Sequence, residues 1–338
     1  MAEKPLDVLS VGDVVTDAFI KLLDDQARVE KTDDEPRLSM VYGAKVPFDH
    51  TEVVPAVGNC GNASVAIAKL GLRSGLVANV GADNWGREIL TTLQAAKVDT
   101  RFVHINTGKK SNYHYVLWYR EDRTILIKHE QYNYHWPHFR VIDIPRWIYF
   151  SSISEHALEY HDQLAAWLEG NSPVKLAFQP GTFQIDAGTK RLQKIYERAE
   201  VLAVNRDEAA EITKTDRDNL PKLFDKLHSL GPKIVLISDG HAGAYASDGS
   251  TRWKMPIYPD PKPPYERTGA GDAFTSTFVA ALAKGADIQT ALLWAPINAM
   301  SVVQKVGAQA GLLDEREIDH YLRSAPPGYH PERLNGSH

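Results

Sequence analysis

What this chain has little of narrows it first. Its 338 residues include a single cysteine, Cys60, so no disulfide can close within it. No apolar run reaches the roughly 18 residues that crossing a bilayer requires. The opening "MAEKPLDVLSVGD" carries neither the hydrophobic stretch nor the cleavage site of a secretory signal, so the expectation is a cytoplasmic protein with no membrane partner. Charge of one sign is also lacking: 38 basic against 43 acidic residues leave a net charge of −5 and no field to hold nucleic acid. Any phosphate site has to be assembled locally. Missing too is a G-x-G-x-x-G turn after the first apolar run, where the chain reads "GDVVTD", and this removes the dinucleotide fingerprint of a nicotinamide dehydrogenase. His129, His135 and His138, and the pair His156 and His161, do not have the spacing of H-E-x-x-H, which argues against zinc.

What is present is an alternation. Leu6 to Val11 is a short apolar run ending at Gly12, as in a buried strand, and residues 57 to 100 read helix, Gly turn, strand, Gly turn, helix. From Trp147 onward "WIYFSSI", "VKLAFQP", "VLAVN" and "KIVLISDG" alternate with helical stretches, which predicts a parallel sheet with helices on both faces. Residues 24 to 52 are mixed and charged and read as an excursion of edge strands. In 101 to 128, aromatic and β-branched residues flank "REDR", which predicts a hairpin able to pair with that excursion. Tyr132, Tyr134 and Trp136 read as a lid surface, an interface or plain packing. The closing "SAPPGYHPERLNGSH" is polar and reads as mobile.

The segment richest in chemistry is Thr268-Gly269-Ala270-Gly271-Asp272-Ala273-Phe274, a small-residue turn running into an amphipathic helix. Unencumbered N–H groups at a helix start surround an anion without any basic side chain. Asp272 then has two readings: a first-turn acid favoured by the helix dipole, or a carboxylate that accepts the proton of a hydroxyl attacking a phosphate. Cys60 has no basic neighbour in sequence and reads as a small buried residue.

The N-terminal "VGDVVTD", then "GNCGNASVAIAKLG" and, near the C-terminus, "TGAGDAF", in this order, resemble the ribokinase-like (PfkB) family of carbohydrate and nucleoside kinases over residues 6 to 312. The resemblance implies a three-layer α/β/α core with a small β-sheet lid: core in 1–17, 57–100 and 131–323, lid in 18–56 and 101–130, and a polar tail in 324–338. It implies a phosphotransferase with an alcohol acceptor, moving the γ-phosphoryl group of ATP to a hydroxyl of a small sugar with Mg²⁺, and activation by a monovalent cation in some members. A nucleoside acceptor is the alternative, for which Tyr113 to Tyr119 offers stacking surfaces. Lys45, Lys109, Lys110 and Arg123 are candidates to hold a phosphorylated sugar, or are merely solubilising charges on strand edges. A catalytically silent sugar-binding relative is a further alternative, against which the retention of Asp272 with its glycines speaks.

Residue by residue, Asp272 matches the family's catalytic base and Gly269, Ala270 and Gly271 its anion hole. Asp17 matches the carboxylate that receives substrate hydroxyls, its alternative being a turn residue after a strand; Asp13 reads as a turn residue. Gly58 and Asn62 match the substrate-contacting hinge segment, in which Val57 replaces the family's first glycine. Asn205 and Glu208 match its N-x-x-E motif, with Glu208 ordering water on the metal; a plain helix cap is the alternative. Ser238, Gly240 and Gly243 resemble the nucleotide loop, and Asn298 falls near the adenine-contacting position. Gln179-Pro180-Gly181 departs from the frequent Asp-Pro-Asn. Members often dimerise through the lid, so a homodimer is expected.

Overall fold

The structure, a computed structural model, describes residues 5–31, 36–120, 122–265 and 267–334. The first four residues, residues 32 to 35 of the charged excursion and the last four of the polar tail lie outside it. In chain order the strands are β1 (Val8–Val11), β2 (Val15–Leu22), β3 (Arg28–Lys31), β4 (Pro36–Ser39), β5 (Phe48–Val57), β6 (Ser74–Gly81), β7 (Asp99–Asn106), β8 (Tyr113–Tyr119), β9 (Asp122–Leu126), β10 (Trp147–Phe150), β11 (Lys175–Phe178), β12 (Ala199–Asn205), β13 (Ile234–Ser238), β14 (Ala244–Ser247), β15 (Arg252–Met255) and β16 (Glu332–Leu334). The helices are α1 (Asn59–Lys69), α2 (Asn84–Ala95), α3 (Leu158–Gly170), α4 (Thr182–Ala187), α5 (Gln193–Arg198), α6 (Arg206–Thr213), α7 (Leu220–Ser229), α8 (Ala270–Ala283), α9 (Ile288–Val302) and α10 (Glu315–Arg323). Among the described residues no helix is long and apolar enough to cross a membrane.

The short apolar runs become strands covered on both faces. In β10, Trp147 and Tyr149 point to one side and Ile148 and Phe150 to the other, and all four are buried. One layer packs Leu164, Leu168, Ile195, Phe224 and Leu227 of α3, α5 and α7 against the sheet; the opposite layer packs Phe278, Leu292 and Ile297 of α8 and α9. The main sheet has the order β16-β15-β14-β13-β12-β11-β10-β1-β6-β7, parallel from β13 through to β7 and antiparallel beyond β13. This is the three-layer α/β/α core that the alternation predicts. Because the central strands are parallel, their carboxyl ends share one edge, and Gly12-Asp13, Gln179, Asn205 and Ser238 all sit there.

A second sheet of order β5-β2-β8-β9 stands beside that edge as the lid, with β3 and β4 as a separate hairpin. Its bounds differ from the expected 18–56 and 101–130. The lid already begins in β2 at Val15, and β7 stays in the main sheet, paired with β6 from Gly75↔Asp99 to Gly81↔Asn106. The "REDR" hairpin forms as predicted, with Tyr119 opposite Asp122.

The tail also departs from expectation. Glu332–Leu334 extends the main sheet antiparallel to Arg252–Lys254, and Tyr329 is buried with its hydroxyl donating to Leu293 C=O at 2.7 Å and its ring 4.9 Å from that of Tyr258. One aromatic inside a polar tail is enough to anchor it, since burying a ring of this size is worth more than the freedom of a few residues. Tyr329→Ala is expected to lower the unfolding free energy by about 3 kcal/mol, read from urea denaturation; an unanchored tail predicts no change.

Candidate active site

The turn before α8 is shaped by contact. Gly269 caps the helix at φ 81°, and a Cβ there would lie 2.2 Å from Ala308 Cβ, so only glycine fits. The first helical bond is Ala273 N–H to Gly269 C=O at 2.8 Å, which leaves the N–H groups of Ala270, Gly271 and Asp272 without partners inside the helix. Gly271 faces open space: nothing lies within 4 Å of the position a Cβ would take. Three free donors at the positive end of a helix form an anion site.

Asp272 is half-buried beside these donors, and the groups that hold it are neutral amides. Asn62 Nδ2 donates to Oδ2 at 2.8 Å, Asn59 Nδ2 to Oδ1 at 3.0 Å and Gln179 Nε2 to Oδ1 at 3.3 Å. Asn59 and Asn62 are three apart on the first turn of α1 and so share a face. Burial pushes the Asp272 carboxyl above its usual range, and the three amides pull it back. Asn59 and Gln179 escaped the sequence reading; Gln179 stands where the segment departs from the family pattern, which was the one available signal.

The loop that follows β13 lies against the same helix start. Ser238, Gly240 and Gly243 line a cavity of about 230 Å³ together with Ala270, Gly271 and Phe274 of α8 and Pro296, Ala299 and Met300 of α9. Gly243 has φ 95°, and a Cβ there would lie 2.2 Å from Met255 C=O, so the loop closes only with glycine. His241 and Arg267 also line the cavity and meet there, Arg267 Nη1 donating to His241 Nε2 at 3.2 Å. Both border quoted motifs, and neither was singled out.

Asn298 does not belong to this cavity. It is fully buried, its Nδ2 donates to Thr277 Oγ1 at 2.7 Å and its Oδ1 accepts Leu313 N–H at 2.9 Å. Its amide is spent on joining α8, α9 and the chain before α10, while Pro296, Ala299 and Met300 face the space.

Asn205 and Glu208 form a capping box on α6: Asn205 Oδ1 accepts Glu208 N–H at 2.8 Å, and Glu208 Oε2 accepts Asn205 N–H at 2.7 Å. The cap uses one carboxylate oxygen. Burial raises the Glu208 pKa, and the charge of Asp272 adds to the rise. Arg206 binds Asp239, tying α6 to the loop after β13. Among the described residues no group of three or more His, Cys, Asp or Glu is placed to ligate a metal. A cation near Glu208 would relieve the repulsion that the charge of Asp272 exerts on it.

In the lid Asp17 is buried in β2, and its Oδ1 accepts no hydrogen bond. Its cross-strand partner in β8 is His114, whose Nδ1 lies 3.5 Å from that oxygen and whose Nε2 is likewise buried without a partner. Asp13, read as a turn residue, is instead the centre of a buried network. It accepts Tyr134 O–H at 2.8 Å and Ser154 N–H at 2.7 Å, and His129 Nδ1 lies 3.2 Å away. Tyr132 and Tyr134 are accordingly core residues. The start of α1 packs on this network, with Cys60 Sγ donating to Asp13 C=O at 3.2 Å, and Gly58 is the N-cap residue of α1. Tyr113 and Tyr115 flank His114 in β8 and so point to the face opposite Asp17; Tyr113 packs on Trp85 and Tyr115 is exposed.

The model of the pfkB family carbohydrate kinase matches residues 40–316. The chain belongs to this family. Ribokinase of Bacillus subtilis (strain 168) is 26% identical over 279 residues, covering 80% of this chain and 88% of the relative. Among solved structures, Arabidopsis thaliana ribokinase complexed with ribose and ATP superposes with a TM-score of 0.76 at 19% identity, covering 94% and 99% of the two chains. A Burkholderia thailandensis nucleoside kinase in complex with inosine gives 0.74 at 17% identity, covering 96% and 100%. The structural likenesses show the shared fold, and the chain is a phosphotransferase of the pfkB family.

Two outcomes follow from the pfkB site. Asn298→Ala strands the Leu313 N–H and the Thr277 hydroxyl, and should cost about 2 kcal/mol in denaturation while ATP affinity by calorimetry stays unchanged. Glu208 holds its proton more tightly folded than unfolded. Its contribution thus favours the fold below the unfolded-chain pKa and is lost as pH rises through the raised folded value. Glu208→Gln keeps the capping box and removes the charge, so its thermal midpoint should exceed the wild type's at neutral pH, with the gain vanishing below the ordinary carboxylate range.

Proposed function

We propose that this pfkB-family protein is an ATP-dependent kinase of a small sugar, with Asp272 as the catalytic base. The observation that carries the reading is the pairing of a carboxylate held by neutral donors with three free N–H groups at the start of the same helix. Asp17 and Asn62 would receive acceptor hydroxyls, with Gly58 beside them. The nucleotide would occupy the cavity of Ser238, Gly240 and Gly243, its phosphates directed to Gly269, Ala270 and Gly271. Mg²⁺ would be held by nucleotide phosphates and by water ordered on Glu208, with Asn205 nearby, and when bound it neutralises phosphate charge.

In the reaction, Asp272 takes the proton of the acceptor hydroxyl as its oxygen bonds to the γ-phosphorus. The bond from that phosphorus to the bridging oxygen of ADP breaks. A weak base suffices because the transition state is loose, and the N–H groups of Ala270 to Asp272 meet the charge that gathers on the phosphoryl oxygens. Asp17 orients the acceptor as a double hydrogen-bond acceptor for neighbouring hydroxyls. The lid excludes water that would otherwise compete for the phosphoryl group.

A nucleoside acceptor is the second reading, favoured by the likeness to a nucleoside kinase bound to inosine. The sugar stands ahead because Tyr113 and Tyr115 lie on the lid face away from Asp17, while Trp118, on the Asp17 face, is buried with its ring against Lys21 and its indole N–H on Arg120 C=O. That outer face also carries the exposed Val53, Tyr115 and Leu126, in register across the sheet through Ala18, and supports a homodimer formed lid to lid.

Asp272→Asn should lower turnover by about 10³-fold while ATP binding stays within about twofold. Near-normal turnover would remove Asp272 from this role. ADP release across ribose, fructose, fructose phosphate and nucleosides decides the acceptor, with an unphosphorylated sugar expected to be fastest.

A further inference from the structure

An amide beside a carboxylate has one useful orientation. Turned half a revolution, Asn62 would place Oδ1 rather than Nδ2 against Asp272 Oδ2, converting attraction into repulsion; Gln179 is in the same position at Oδ1. The groups that select the orientation lie one shell further out. Gln309 Nε2 spends its two protons on Asn62 Oδ1 at 3.1 Å and on Ala56 C=O at 2.7 Å. Tyr149 O–H donates to Gln179 Oε1.

We propose that Gln309 and Tyr149 are positioning residues: they occupy the amide oxygens of Asn62 and Gln179, so that both amides present N–H to Asp272. The inference rests on Asp272 being the base. The polarity starts from a group that cannot invert. Ala56 C=O only accepts, and Ala56 sits where β5 leaves the lid for α1, at φ 64° in the left-handed region. A backbone carbonyl therefore orients Gln309, Gln309 orients Asn62, and Asn62 meets the carboxylate. On the other side Tyr149 is fully buried, its phenol pushed well above the usual range, so it keeps the proton that it donates. Gln309 also joins the lid strand to the base, since a single nitrogen binds both the end of β5 and the amide on α1.

Three variants test this, with Asp272→Asn measured beside them. Tyr149→Phe preserves shape and removes only the donor; kcat should fall about tenfold with KM for ATP and for the acceptor within about twofold. Gln309→Glu keeps the volume but reverses the hydrogen-bond polarity toward Asn62, whereas Gln309→Ala removes both volume and donor. Orientation predicts a lower kcat for Gln309→Glu than for Gln309→Ala; a packing role predicts the opposite order. Should Gln309→Glu fail to fold, Tyr149→Phe still decides. Wild-type kcat in Tyr149→Phe, or Gln309→Ala slower than Gln309→Glu, alongside an inactive Asp272→Asn, overturns the orientation and leaves the base standing. Normal turnover in Asp272→Asn overturns both.

Discussion

A carboxylate pressed into the fold with only neutral donors around it is the constraint on which this site depends. Were a lysine or arginine to meet Asp272, its charge would be neutralised and its basicity toward a hydroxyl lost. Amides hold it more gently. They keep the anion in place with N–H dipoles while burial works in the opposite direction. The resulting carboxylate is ionisable yet not saturated, the condition that general-base work requires.

The same economy governs the anion site. A protein of net charge −5 gathers positive potential by leaving three backbone donors unpaired at the start of α8. That geometry depends on Gly269 lying against Ala308, and hence on a loop some forty residues further along the chain. The following residue, Gln309, belongs to the same loop, so the segment that shapes the turn also supplies the pin for Asn62. The turn before α8, the amide that meets Asp272 and the lid strand are thus held by one short stretch between α9 and α10.

Much of this was legible in the chain. Apolar runs of four to eight residues alternating with amphipathic stretches can only be satisfied by a layered sheet, and "TGAGDAF" announces backbone donors because small residues leave them uncovered. Less legible were residues whose meaning is set by a distant partner. Asp13 looks like a turn residue until Tyr134 and Ser154 arrive from far along the chain. Asn298 matched a position near the nucleotide, yet a helix rotation decides whether an amide faces the cavity or the core, and here Thr277 and Leu313 claim it. The polar tail hid Tyr329 because its neighbours in sequence give no hint of the Tyr258 ring against which it packs.

By itself the sequence determined the layered core, the family, and the small-residue turn in which Asp272 lies, since these rest on local periodicity and on the absence of side chains at Gly269 and Gly271. Only the tertiary structure decided how that carboxylate is held. Asn59, Asn62, Gln179, Tyr149 and Gln309 come from one helix start, two strand ends and a loop, and an amide is symmetric in sequence but not in space. Which of its ends donates is settled by what touches the other end, and that is information the linear chain does not contain.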